Sequence, residues 1–132
     1  MKHTIKHNGE LIASGYMSNT SFFPLHSGPL PNSLQHLLEN ARIPLKNVWY
    51  IYNIYTKESH RRKGYCKKLI QKMIDHVYHS LVLLHIRYKG DTIPTFHKCY
   101  KHNDFKLYRP YDQDDVDPSN PSYKIALFYR IN

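Results

Sequence analysis

The chain has 132 residues, 41% of them hydrophobic, which suits a single folded domain with its own core and excludes a disordered tail. No apolar run approaches a membrane span, and the first residues lack the apolar stretch of a secretion signal, so no membrane partner is expected. The net charge of +9 calls for an anionic partner, whether a cofactor, a nucleic acid or an acidic protein, and says little about fold.

Between Thr4 and Ala13 an Asn8-Gly9 pair separates two short strand-like runs, the signal of a β-hairpin. Gly15 to Pro31 is rich in Gly, Pro, Ser and Asn, with Phe22, Phe23 and Leu25 embedded, and reads as a long, partly packed loop. Ser33 is expected to cap a short helix through Arg42 that carries Leu34, Leu37, Leu38 and Ala41 on one face, with Pro44 ending it. Val48 to Thr56 is β-branched and aromatic, hence a strand.

Apolar residues then recur at Cys66, Leu69, Ile70, Met73, Ile74 and Val77, predicting an amphipathic helix from Gly64 to His79. Leu81 to Tyr88 is apolar enough to be a buried parallel strand, which completes one right-handed β-α-β unit. A second helix, about Pro94 to His102, would bury Phe96, Cys99 and Tyr100, and Asn103 suits the left-handed position that ends it. Phe105 to Arg109 and Tyr123 to Ile131 are strand-like, separated by an acidic loop from Asp112 to Pro121. The expected fold class is α/β (α+β): a mixed, mostly antiparallel twisted sheet with a central parallel pair flanked by helices.

Cys66 and Cys99 are the two cysteines, each on the apolar face of a predicted helix. Both are read as reduced and buried, which points to a reducing compartment, cytoplasmic or nuclear.

Chemistry concentrates between Ile54 and Leu69. A polar, basic turn leads from the strand into the helix, so the first amides of the helix face outward with no carbonyl one turn behind them. Gly64 has no Cβ where the backbone would meet a ligand, and Arg61, Arg62, Lys63, Lys67 and Lys68 surround the mouth with positive charge. The turn reads as a seat for a phosphorylated ligand. The bland alternative is a solvated turn that merely begins a helix.

Arg61-x-x-Gly64-x-Cys66 resembles the Arg/Gln-x-x-Gly-x-Gly/Ala signature of the GNAT acyl-CoA N-acyltransferases, with Cys66 where that family has a small residue. Pro94, Tyr100 and Phe105 are spaced like its second motif, so the resemblance spans about residues 48–105. It implies one GNAT-like domain over residues 1–132 that uses acetyl-CoA. Coenzyme A would be held by Ile54, Tyr55 and Thr56 on the strand and by Arg61, Arg62, Lys63, Gly64, Tyr65, Cys66 and Lys67 at the turn. Tyr100 would protonate the departing thiolate. The acceptor would be a primary amine: a small amine, a polyamine, or a protein lysine or N-terminus.

This sequence departs from the family at three points. Ile93 stands where an Asn often holds the pantetheine arm, the signature strand lacks the Glu that often serves as base, and the N-terminal part is reduced or rearranged. Tyr50 lies near the place of that Glu, and His85 or Asp91 could relay the proton. These departures keep open a catalytically inactive acyl-CoA-binding protein, and the charge keeps open a basic nucleic-acid-binding module. His76, His79, His97 and His102 follow no metal-ligand spacing, so no metal is expected. The acidic loop could attract a cationic amine or simply be solvated. Monomer and homodimer both remain open.

Overall fold

The computed structural model of the chain describes residues 1–19, 30–89, 98–108, 116–117 and 120–132. The sequence expectations for Phe22, Phe23, Leu25, Asp91, Ile93, Pro94, Phe96, His97 and most of the acidic loop lie outside the described residues. Among the described residues no helix is long and apolar enough to cross a membrane.

Strands β1 (Lys2–His7) and β2 (Glu10–Asn19) form the hairpin. Asn8 and Gly9 both take positive φ, 52° and 79°, as a two-residue turn compatible with strand twist requires. Helix α1 (Asn32–Ala41) follows, then β3 (Val48–Thr56), helix α2 (Tyr65–Ile74) and β4 (Leu81–Tyr88). Helix α3 (Lys98–Lys101), β5 (Lys106–Leu107), β6 (Val116–Asp117) and β7 (Asn120–Ile131) complete the described elements.

One seven-stranded sheet runs in the order β1-β2-β3-β4-β7-β5, with β6 also on β7. Every pairing is antiparallel except β3 with β4. Period-2 alternation sends successive side chains to opposite faces, and each face has its own core. On one, Leu69, Ile70 and Met73 of α2 pack with Ile51, Leu84 and Phe128. On the other, Leu34 and Leu38 of α1 pack with Val48, Leu81, Leu83 and Leu127. A Cβ on Gly15 would come within 3.3 Å of the Met73 sulfur, so the glycine lets α2 lie close on β2.

Several local expectations are corrected by longer-range contacts. Ser33 does not cap α1. The cap position is Pro31, whose carbonyl accepts from the amides of Leu34 and Gln35, while the Ser33 hydroxyl bonds that of Tyr108. Helix α2 stops at Ile74 rather than His79, because the Asn132 side chain donates to the carbonyls of Ile74 and Val77 and closes the helix there. Asn103 is not the left-handed residue after α3. Asp104 is, with φ 62°, while the buried Asn103 amide donates to the carbonyls of Lys67 and Cys99. Val116 and Asp117, placed in the acidic loop by sequence, pair with β7.

His3 of β1 is 5% exposed and its ring meets that of His76, just past α2, at a tilt, centroids 4.7 Å apart. Burial first, then the charges of His76, Lys72 and the N-terminal amine, lower its pKa from the ordinary 6.5. The folded state therefore resists a proton that the unfolded chain accepts. This contribution to stability is complete above about pH 6.5 and is lost as pH falls through the lower folded value. Thermal melts of His3→Phe should accordingly lose less stability than wild type between pH 7 and 5. Parallel pH dependence of the two proteins would sink the assignment.

Candidate active site

The parallel ladder between β3 and β4 runs from Val48↔Leu81 only to Ile51↔Leu84. Beyond it the two strands keep their outer neighbours: β3 stays on β2 as far as Ala13↔Thr56, and β4 stays on β7 as far as Tyr88↔Lys124. The sheet thus divides at its centre. The local cause is a bulge in β3. Ser14 pairs with Tyr55 but Tyr16 with Tyr52, so β3 holds one extra residue there, and Asn53 within it has φ 52°. A bulge bends its strand, here at the point where β4 is no longer followed.

At the end of β3 lies a cleft of about 920 Å³. Its walls bring together Ile54, Tyr55 and Thr56 of β3, Arg61 and Arg62 of the turn, and Gly64, Tyr65, Cys66 and Lys67 at the start of α2, with Tyr100 of α3 opposite. Of the basic residues that sequence placed around the mouth, Lys63 and Lys68 are not on the lining. His60, Cys99 and His102 line it as well, although nothing in their sequence spacing marked them. Another hollow, of about 400 Å³, lies at the C-terminal end of α1 and shares no lining residue with the cleft.

The turn is built to leave amides exposed. Gly64 occupies the cap position of α2 in the left-handed region, φ 85°, and no side chain caps this end. Lys68 donates to the Gly64 carbonyl and begins the ladder, so the amides of Tyr65, Cys66 and Lys67 have no carbonyl one turn back. A Cβ added to Gly64 would meet only open space, the cradle an approaching ligand would occupy. The Arg61 Nε–H donates to the Thr56 carbonyl at 3.2 Å and holds the guanidinium over the strand end. Lys68 instead places its Nζ over the Tyr65 ring, 5.4 Å from the centroid. Burial first, then Lys63, Lys57 and His7, lowers the pKa of His60, which disfavours its charged form.

Tyr100 is 8% exposed and packs edge-on against Phe128, centroids 5.7 Å apart. Burial pushes its phenol up to about 12, so it keeps its proton throughout the neutral range.

Cys66 and Cys99 are not reduced thiols. They form a disulfide joining the first turn of α2 to α3, and both are half-buried. The reading of two buried, reduced cysteines is therefore overturned, and with it the support they lent to a reducing compartment. Thirty-three positions separate them, and only the packing of α3 on α2 brings their Cα atoms to 6.0 Å.

On the opposite face of the sheet, where the parallel ladder ends, the Tyr50 hydroxyl bonds Nδ1 of His85, and their rings stack 5.5 Å apart. Tyr52 and Tyr16 continue the stack. Trp49 points the other way and packs against the α2-side core. Two of the histidines weighed as metal ligands have structural partners: His76 lies on His3, and His79 bonds the Arg42 carbonyl.

A family model described as "Putative acetyl-transferase" matches residues 3–116. No curated protein sequence matches the chain. Among solved structures it is similar to the ribosomal-protein-S18-alanine N-acetyltransferase of Escherichia coli, at 13% identity over 99% of this chain and 68% of that one, with TM-score 0.56. It is similar to Arabidopsis thaliana NAA60 in complex with a bisubstrate analogue, at 17% identity over 95% and 67%, TM-score 0.58. It is also similar to a GNAT superfamily phosphinothricin acetyltransferase of Sinorhizobium meliloti in complex with acetyl-CoA, at 13% identity over 96% and 57%, TM-score 0.58. The chain thus spans between 57% and 68% of the length of these three structures, and at such identities the likeness is one of fold.

Proposed function

Because the chain belongs to the acetyltransferase family matched over residues 3–116, and so to the GNAT superfamily, we propose that it transfers an acetyl group from acetyl-CoA to a primary amine. The observation that carries this reading is the parting of β3 from β4 beyond Ile51 and Leu84, with a cleft at its mouth that ends on the uncapped start of α2. A long, thin donor with an anionic end suits such a slot. The amides of Tyr65, Cys66 and Lys67 would receive the pyrophosphate, with Arg61, Arg62 and Lys63 adding charge and Gly64 leaving room. Ile54, Tyr55 and Thr56 would offer backbone hydrogen bonds to the arm.

The reaction needs a free amine, a polarised thioester carbonyl and a proton for the leaving sulfur. The amine's nitrogen bonds the acetyl carbon, the carbon–sulfur bond breaks, the thiolate takes the proton that Tyr100 keeps at neutral pH, and the proton shed by the new amide nitrogen restores the phenol. The ammonium of the incoming acceptor must lose its own proton first. Tyr50 and His85 support that role, since they meet on the face opposite α2, at the end of the parallel ladder. His85 would accept the proton with Tyr50 orienting its ring, in place of a strand carboxylate. Holding donor and acceptor at one gap supplies much of the acceleration.

The test is a thermal shift with acetyl-CoA, CoA and ATP, followed by thiol release with an amino-terminal peptide, a lysine peptide and a polyamine. Donor at a hundred times its dissociation constant should add about 2.7 kcal/mol of apparent stability. His85→Ala should lower turnover without weakening donor binding. Stabilisation without thiol release from any amine would favour an inactive acyl-CoA binder. Salt-sensitive binding of DNA or RNA with no response to acetyl-CoA would overturn the reading altogether.

A further inference from the structure

We propose that the Cys66–Cys99 disulfide is a thiol-exchange site that latches the donor cleft, so that reduction weakens donor binding. The proposal rests on the acyl-CoA reading of the cleft. Its basis is placement. Both cysteines line the cleft, and the bond ties the wall that carries the exposed amides to the wall that carries Tyr100. Cys66 is the second residue of α2, and Cys99 directly precedes Tyr100.

Among the described residues, side-chain contacts also join these walls, with Tyr100 in one core cluster with Leu69 and Ile70 of α2. The Asn103 amide reaches the Lys67 carbonyl at 3.3 Å, and Tyr100 rests on Phe128. The covalent tie limits how far Tyr100 and the anion seat can move apart.

Exchange with a dithiol balances without any other reactant. One reductant thiolate attacks Cys99 Sγ and forms a mixed disulfide, while Cys66 leaves as a thiolate. Cys66 is the better leaving sulfur because it sits at a helix N-terminus among Arg61, Arg62 and Lys67, where negative charge is stabilised. The second reductant thiol then closes its own disulfide and frees Cys99. Two electrons pass from the dithiol to the pair, and its two protons end on the two cysteines.

Linkage makes the proposal quantitative. If the disulfide form binds the donor more tightly by some factor, bound donor must shift the dithiol–disulfide equilibrium by the same factor. A bond that leaves the affinity of the cleft unchanged would not respond to the cofactor.

The experiment measures the dissociation constant of CoA for the wild-type protein in its disulfide form and after dithiothreitol, with a thiol count to confirm each state. The redox midpoint is then titrated with and without desulfo-CoA, which cannot itself exchange. Reduction should weaken CoA at least about fivefold, and the ligand should make the bond harder to reduce by a matching factor. Cys99→Ala and Cys99→Ser should bind like the reduced protein and ignore dithiothreitol. Equal affinity in both forms, or a disulfide that dithiothreitol cannot open in the ligand-free protein, overturns the latch alone. No CoA binding in either form overturns the donor reading and the latch with it.

Discussion

Tyr100→Phe should lower turnover by about 10²- to 10⁴-fold, the usual worth of a positioned acid, while the dissociation constant of CoA and the melting temperature stay close to wild type. The substitution removes one oxygen and keeps the ring. The edge-on packing against Phe128 is therefore preserved, and so is the hydrophobic contribution of a side chain only 8% exposed. What is lost is a proton donor whose pKa burial has raised to about 12. That value also fixes a pH expectation: the wild-type rate should show no loss of the Tyr100 proton anywhere between pH 6 and 9, because the acid form persists well above that window. Steady-state rates with acetyl-CoA, set beside CoA binding of the same variant, check the assignment. If binding and turnover fall together, Tyr100 is a wall of the cleft and not its acid.

Gly64→Val should weaken CoA about tenfold or more, and a paired substitution at Gly9 separates the reason from simple strain. Both glycines hold left-handed backbone, φ 85° and 79°, and in both a new Cβ meets open space. Each valine therefore carries the left-handed penalty of roughly 1–2 kcal/mol, raised by its branched Cβ. At Gly9 the open space is solvent beside the hairpin turn. At Gly64 it fronts the uncapped start of α2 in the cleft. Denaturant melts should show similar losses for the two variants, whereas calorimetric titration with CoA should show the affinity loss for Gly64→Val only. A Gly64→Val protein that binds CoA as Gly9→Val does would mean that nothing approaches this turn.

Much of the frame was legible because it depends on neighbours in the chain. The Asn8-Gly9 turn, the strand from Val48, the strand from Leu81 and the apolar stripe from Cys66 to Val77 each follow from local periodicity or turn chemistry. The gathering of the cleft lining was also largely legible, because Ile54 through Lys67 lie in one continuous stretch on which strand, turn and helix start succeed one another. The errors fall where a side chain found a distant partner. Ser33 met Tyr108 and left Pro31 to begin its helix, and Asn132 closed α2 early by taking its last carbonyls. Cys66 met Cys99.

Sequence alone thus determined most elements of this protein, their order, and the basic, glycine-bearing turn at its centre, because helix and strand periodicities and left-handed turns are decided within a few residues. It missed the end of β2 beyond Gly15 and the strand β6. Tertiary structure alone decided that β3 and β4 part after four paired positions, that a bulge at Asn53 bends the strand there, and that a disulfide spans the cleft that results. Register, bulges and cross-chain bonds depend on which strands and helices come to lie side by side. That choice is made by burying two apolar faces against α1 and α2 at once, a condition on the whole chain that no window of it contains.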